Sequence, residues 1–269
     1  MRYLLSFFSL FIFLTACESN LPDENEPFVL DEILDSDTEV AEMSKEEQTQ
    51  KVELADCKEV DDLECEIAVY REMYEAGDRA GGDYLVSLYR REGDFEAAYS
   101  MTAEIASDYP DLAGRMLIWD GDIALNQEED IEKARAFYER AVNEYGDQQP
   151  YGDDPTGILA LRQLSDSYLF PPKDPILAGA AYRRMLQEYP EYLDAAILFE
   201  AIVLETAGKG SGGYSYSGGC GSPYCLFENG QIRGVDSVDE VPDDYVSSDY
   251  SGYFFKLSES DQVIFDMYQ

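Results

Sequence analysis

The sequence predicts an all-α body, a right-handed α-solenoid of antiparallel helix pairs. A disordered acidic tether precedes it, and a small Gly/Tyr-rich β or irregular appendage follows. Three observations carry this reading. Residues 93–190 hold three segments that align on their small residues, each ending at a helix breaker. Residues 18–50 are dense in Asp and Glu. From Gly208 the composition changes abruptly to Gly, Ser, Tyr and Asp. The expected divisions are a leader at 1–16, the tether at 17–50, the helical-repeat domain at 51–206 and the tail at 207–269.

The leader opens with one charge, Arg2, then an apolar run from Leu4 to Leu14, then Thr15 and Ala16 before Cys17. This run suits a secretory signal and is too short to cross a bilayer, which takes roughly 20 residues. Leu14-Thr15-Ala16-Cys17 resembles the lipobox of bacterial lipoprotein precursors. The resemblance implies lipidation of the Cys17 thiol, cleavage just before it and acylation of the new amino terminus. Several acyl chains, at about 0.8 kcal/mol per buried methylene, make such an anchor stable. Glu18 stands where an inner-membrane retention signal has Asp, which by the same resemblance implies the outer membrane, facing the periplasm. A general secretory signal is the alternative.

Between Glu18 and Gln50 the only basic residue is Lys45, and Pro22 and Pro27 interrupt any regular element. A self-repelling stretch with little to bury is expected to act as a tether, spanning roughly 30 Å as a coil. Asp35, Asp37, Glu39 and Glu46 echo a calcium-binding loop, but Val40 occupies the position that needs glycine, so the run reads as solvated acid.

The body is expected to open with a helix at 63–76. The first aligned segment then starts at Gly93 and ends at Pro110, the second runs from Asp130 to Gly146, and the third from Asp174 to Pro190. Each has a small residue (Ala98, Ala134, Ala178), a residue four on (Thr102, Tyr138, Tyr182) and another three on (Ile105, Ala141, Met185). Spacings of four and three put these side chains on one helical face. Further helical stretches precede them at 83–91, 112–125 and 157–169, so each segment is the second arm of a hairpin. An apolar helix at 192–206 is expected to close the stack, with one side left for the tail to cover.

Over about half of the chain this pattern resembles the tetratricopeptide family and the related Sel-like helical-hairpin repeats. Tyr89, Gly93, Ala98 and Pro110 match best, followed by Asp130 through Ala134, Tyr138 and Ala141. Thr102 departs from the large aromatic usual there, and Gly146 replaces the terminal proline. The resemblance implies a scaffold or adaptor without catalysis. Tyr109-Pro110 and Tyr189-Pro190, with the lipidation motif, also resemble the tetratricopeptide lipoproteins of outer-membrane barrel assembly; the cysteines and the tail do not fit that comparison. A non-repeating helical bundle is the alternative.

Beyond Cys17 the chain has Cys57, Cys65, Cys220 and Cys225, an even number suited to two disulfides in an exported protein. Proximity favours Cys57–Cys65 and Cys220–Cys225. On one continuous helix the first pair would stand about 12 Å apart, whereas a disulfide needs about 7 Å or less between Cα atoms. Cys57 is therefore expected in a turn before a helix starting near Asp61, or paired elsewhere. Lys209 to Gly219 reads as a flexible linker. Two hairpins are expected after it, one around Asn229-Gly230 and one from Gly252-Tyr-Phe-Phe into Gln262-Val-Ile-Phe.

The net charge of −38 argues against nucleic acid and anionic lipid surfaces as partners and leaves basic proteins, basic peptides and divalent cations. Salt-adapted solubility explains such a charge equally well. The absence of histidine removes the Ser-His-Asp and Cys-His constellations and every His-containing zinc site. No catalytic residue, cofactor or metal site is indicated. The expected binding surface is a groove lined by Tyr84, Ser87, Arg91, Arg115, Asp120, Asp122, Arg162 and Asp166, offered to a protein or peptide of the cell envelope. An acidic surface for cations or glycans is the alternative. Trp119 is expected to pack between hairpins.

Overall fold

Aspartate starts most of the helices. The computed structural model describes residue 57 and residues 63–150, 154–210, 219–248 and 252–268, all within the unit Val52–Gln269. The leader, Cys17, the acidic run and most of the linker lie outside them. The helices are α1 (Leu63–Glu75), α2 (Arg79–Glu92), α3 (Phe95–Asp108), α4 (Ala113–Asn126), α5 (Ile131–Tyr145), α6 (Thr156–Ser167), α7 (Pro175–Glu188) and α8 (Ala195–Gly208). Asp78, Asp94, Asp130, Asp174 and Asp194 cap α2, α3, α5, α7 and α8, each carboxylate accepting a backbone N–H of the first turn. Such a cap contributes about 1 kcal/mol.

Each helix packs on the next, and the short connections make neighbours antiparallel. Contacts also skip one helix. Arg71 of α1 pairs with Glu104 of α3 at 2.8 Å, and the Tyr74 hydroxyl donates to Asp108 at 2.8 Å. Tyr99 of α3 stacks on Phe137 of α5 with centroids 6.0 Å apart, and Arg184 of α7 reaches Glu139 of α5 at 2.8 Å. The odd-numbered helices therefore form a row, while α4 and α6 touch in the even-numbered set.

The aligned positions lie in the core. Ala98, Ala134 and Ala178 are buried, as are Thr102, Tyr138, Ile105, Ala141 and Met185; Tyr182 is half-buried. One core cluster joins α1 to α4, a second joins α4 to α7, and a third joins α7 and α8 to the C-terminal sheet.

Several expectations shift in detail. Helix α2 begins at Arg79, not 83, because Asp78 caps it and two glycines allow α1 and α3 to come close. A Cβ on Gly81 would sit 2.7 Å from the Tyr70 carbonyl oxygen, and one on Gly82 2.9 Å from Ile105. Pro110 and Pro190 start short 3-10 turns, Pro110–Leu112 and Pro190–Tyr192, so the chain bends rather than stops. Gly146 ends α5 in right-handed conformation. Its missing side chain is explained by the Tyr189 hydroxyl, which occupies the place of a Cβ at both Gly146 and Gly157.

The C-terminal part is a sheet of β1 (Tyr224–Glu228), β2 (Gln231–Val235), β3 (Val246–Ser247) and β4 (Tyr253–Lys256), followed by α9 (Glu259–Met267). The order is β2-β1-β4-β3, with β1 antiparallel to β2 across the Asn229-Gly230 turn and parallel to β4. Among the described residues, 252–268 form a strand and a helix and not the expected second hairpin. Ser258 caps a helix instead, its Oγ accepting the Asp261 N–H at 3.2 Å, and this turns Gln262-Val-Ile-Phe into α9. Phe199 of α8 stacks on Phe255 at 4.5 Å, and Phe255 stacks on Phe227 at 4.7 Å, so the sheet covers an apolar side of α8.

Cys57, buried and in helical conformation, is joined to Cys65 with Cα atoms 5.5 Å apart, so the two do not share one continuous helix. Cys220 and Cys225 are joined at 5.7 Å. Among the described residues no helix is long and apolar enough to cross a membrane.

Candidate functional site

Carboxylates of the even-numbered helices converge around Tyr138. The Tyr138 ring is fully buried against Gly121 of α4, and its hydroxyl donates to Asp122 Oδ1 at 2.7 Å. Burial holds this hydroxyl far above the usual phenol range, and the charges of Asp122 and Asp166 push the same way while Arg90 opposes them. Asp166 of α6 reaches solvent at one edge but is closely surrounded by protein. Loss of water raises its carboxyl to about 6, against the pull of Arg162 one turn earlier. Burial also raises Glu200 of α8, and the charge of Asp166 adds to it. Tyr253 of β4 is raised by burial and then by Glu200. The charge of Asp166 thus acts on Tyr138 of α5 and on Glu200 of α8, and that of Glu200 on Tyr253 of the sheet, with Arg90 and Arg162 opposing at Tyr138 and Asp166.

The odd-numbered row has its cations paired, Arg71 with Glu104, Lys133 with Glu128, Arg135 with Glu132, Arg140 with Glu144 and Arg184 with Glu188, as are Arg79 and Arg91 of α2 with Asp111 and Glu92. Pairs so exposed contribute at most about 1 kcal/mol each to stability. By formal charge α1, α3, α5 and α7 together carry −5 and α2, α4, α6 and α8 together −2, so both rows are acidic.

The sequence-predicted groove residues do not all share this place. Asp122, Asp166 and Arg162 do. Tyr84 is 45% exposed and stacks on Tyr70 of α1 with centroids 4.7 Å apart. Arg91 pairs with Glu92 at 3.0 Å and approaches Glu66 of α1 at 4.0 Å. Both therefore belong to the edge between α1 and α2. Ser87, exposed on α2, donates to the Asp83 carbonyl one turn back at 3.0 Å. Arg115 lies over the Trp119 ring at 5.7 Å, and Trp119 packs on the first core cluster.

Asp120 faces α3. Thr102 Oγ1 lies 2.6 Å from Asp120 Oδ1 and 2.9 Å from the Tyr99 carbonyl oxygen. Burial raises the Asp120 carboxyl to about 7, opposed by the Thr102 hydroxyl and by the charges of Lys133 and Arg140.

Sequence reasoning missed Arg90, Tyr138 as a polar partner, and Glu200. Glu200 had a signal: with Glu205 it is one of two charges within the apolar run Ala195–Gly208. Tyr138 had none, because a tyrosine at a core position looks the same whether or not its hydroxyl finds a carboxylate. Among the described residues no three carboxylate or cysteine side chains converge as metal ligands. A cleft between α8, the β1–β2 turn and the start of α9 holds Arg183, Glu205, Lys256, Glu228 and Asp261, whose charges are already joined in ion pairs. No protein-family model matches the chain, and no match was found among curated proteins or solved structures.

Proposed function

We propose that this chain is a lipid-anchored, non-enzymatic scaffold of the bacterial cell envelope that holds a basic, extended segment of a partner protein. The observation that carries the proposal is a pair of carboxyls on successive even-numbered helices, Asp166 open to solvent and Glu200 half-buried, each raised by loss of water, with Glu200 lifted further by the charge of Asp166. Like charges held close in a poorly hydrated place are relieved when a lysine or arginine arrives, and electrostatic complementarity of this kind selects and steers partners.

In this reading the helices form a right-handed solenoid of tetratricopeptide or Sel-like pairs, with α2, α4, α6 and α8 lining the binding face. Support comes from two ties from α1 to α3 at separations of 33 and 34 residues, Arg71–Glu104 and Tyr74–Asp108; the ties from α5 to α7, Arg184 with Glu139 and Asn143, span 45 and 41 residues across the longer connections there. The tetratricopeptide period is about 34 residues. The anchor rests on Leu14-Thr15-Ala16-Cys17, and the outer membrane, periplasmic side, on Glu18 after the cysteine.

Photo-crosslinking in the native envelope tests this. A reactive residue replacing Arg162 is expected to capture Lys/Arg-rich peptides of one partner protein, and the same residue replacing the exposed Glu96 on α3 is not. Equal capture at both positions, or capture of acidic peptides, would contradict the proposal.

A further inference from the structure

At the edge between α1 and α2 a buried carboxylate lacks a hydrogen-bond donor. Glu66 of α1 is only 6% exposed, and the cation facing it, Arg91 of α2, keeps its Nη2 4.0 Å from Glu66 Oε2. That is too far for a hydrogen bond. Arg91 is turned instead to its neighbour Glu92, to which its Nε donates at 3.0 Å. One turn along α1 from Glu66, Tyr70 is buried, and among the described residues its hydroxyl also has no hydrogen-bond partner. Burial without a partner is costly for both groups, and an arriving donor recovers that cost.

The same corner holds an aromatic face. Tyr84 of α2 stacks on Tyr70 with ring planes 25° from parallel, yet Tyr84 itself stays exposed, so its outer face is open to solvent. Burial lifts the Tyr70 hydroxyl to about 12; Tyr84 and Glu66 add to this and Arg91 opposes it. Carboxylate, hydroxyl and exposed ring therefore converge on one spot. We propose that this corner receives a primary ammonium, the end of a lysine side chain of a partner protein. Its N–H groups donate to the Glu66 carboxylate and the Tyr70 hydroxyl oxygen, and its methylene stem lies over Tyr84. An ammonium is a compact head with several donors on an apolar stem, which suits two acceptors beside an aromatic face.

Arg91 is then the competitor. Its side chain is exposed and already held by Glu92, so it gives up its long approach to Glu66 when a better donor enters. Its charge repels the incoming ammonium, while that of Glu66 attracts it. The two residues must therefore act on the ligand with opposite signs, and an anion would reverse both. None of Asp122, Asp166 and Glu200 enters this corner, so the inference goes beyond the acidic residues of α4, α6 and α8 and stands without them.

The test is an NMR titration of the full chain in non-ionic detergent with N-acetyl-lysine N-methylamide. It is followed at the Tyr84 ring signal, assigned by its loss in Tyr84→Leu. Saturable shifts are expected, and the norleucine analogue, which keeps the stem without the charge, is expected to give none. Glu66→Gln should weaken binding about tenfold, as a charge-assisted hydrogen bond is lost. Glu64→Gln, exposed on the same helix, removes the same charge and should change binding by less than about twofold. Arg91→Gln should strengthen binding by about threefold, the scale of an exposed charge contact. The inference is overturned by a parent that does not saturate, by equal shifts with the norleucine analogue, by equal losses in Glu66→Gln and Glu64→Gln, or by unchanged or weaker binding in Arg91→Gln. If Glu66→Gln does not fold, the exposed Arg91→Gln decides alone.

Discussion

At Gly121 a missing side chain sets how near α4 and α5 come. A Cβ there would overlap the Tyr138 ring, whose hydroxyl must stay within reach of Asp122. Gly121→Ala is therefore expected to lower stability by about 1–3 kcal/mol, the usual cost of overpacking, as read from the urea midpoint. Tyr138→Phe keeps the ring and removes the hydroxyl. Its expected cost is about 1.5 kcal/mol, because a donor to a carboxylate is lost. An unchanged urea midpoint in the variant would mean that the hydroxyl adds nothing beyond the packing of the ring. These contacts were partly legible in the sequence. The four-then-three spacing placed Tyr138 and Ala141 on one face, but nothing in the spacing told which acidic residue the phenol would meet. Asp120 and Asp122, two apart on α4, look interchangeable in sequence and face opposite neighbours in the fold.

At the scale of elements, the helices followed from the spacing of small and apolar residues and from the Pro and Gly breakers, the aspartate caps emerging only in the fold, while the tail was harder to read. Gly252-Tyr-Phe-Phe reads as a strand and is one, but Ser258 as cap converts the next apolar stretch from a strand into α9. The alternation expected of a strand and the pattern of a two-turn helix are nearly indistinguishable over so few residues. What fixes α9 to the body is Arg183 of α7. Its guanidinium holds Asp261 of α9 at 2.8 Å and both carboxylate oxygens of Glu205 of α8, the second at 3.1 Å. The Tyr268 hydroxyl adds a bond to the Leu186 carbonyl at 3.2 Å. Arg183→Met keeps the stem and removes the charge; it is expected to cost about 1.5–3 kcal/mol, with the loss felt first in the C-terminal part. Amide exchange should then quicken in α9 and β4 while α3–α5 remain protected. Uniform quickening along the chain would mean that the sheet and the helices unfold as one unit without a separate joint. Phe199→Ala removes the ring on which Phe255 rests and should cost about 3–5 kcal/mol by the same measurement of urea midpoint.

For the whole molecule, charge and the two rows of helices belong together. The sequence reveals a large excess of acid without saying where it collects, because that depends on which carboxylates meet cations across helices. Arg71–Glu104 and Arg184–Glu139 are matched over distances in sequence that only the fold closes. Asp166 and Glu200 are instead brought toward each other. Two consequences follow for a basic ligand. Its affinity should fall with added salt, since part of the attraction is screened. It should also fall as pH drops through about 6, where Asp166 takes up a proton and loses its charge; in a pH series, affinity that stays level between pH 7.5 and 5 would exclude Asp166 from the contact. The most direct measurement is calorimetric titration of the full chain with a short lysine- and arginine-rich peptide, comparing two triple variants. One is Asp122→Asn, Asp166→Asn, Glu200→Gln on the even-numbered helices; the other is Glu72→Gln, Glu75→Gln, Glu96→Gln on exposed positions of α1 and α3. The account predicts saturable binding with a defined stoichiometry, weakened at least about tenfold (about 1.4 kcal/mol) by the first set and hardly at all by the second. Equal weakening by both sets, or diffuse binding without saturation, would contradict it.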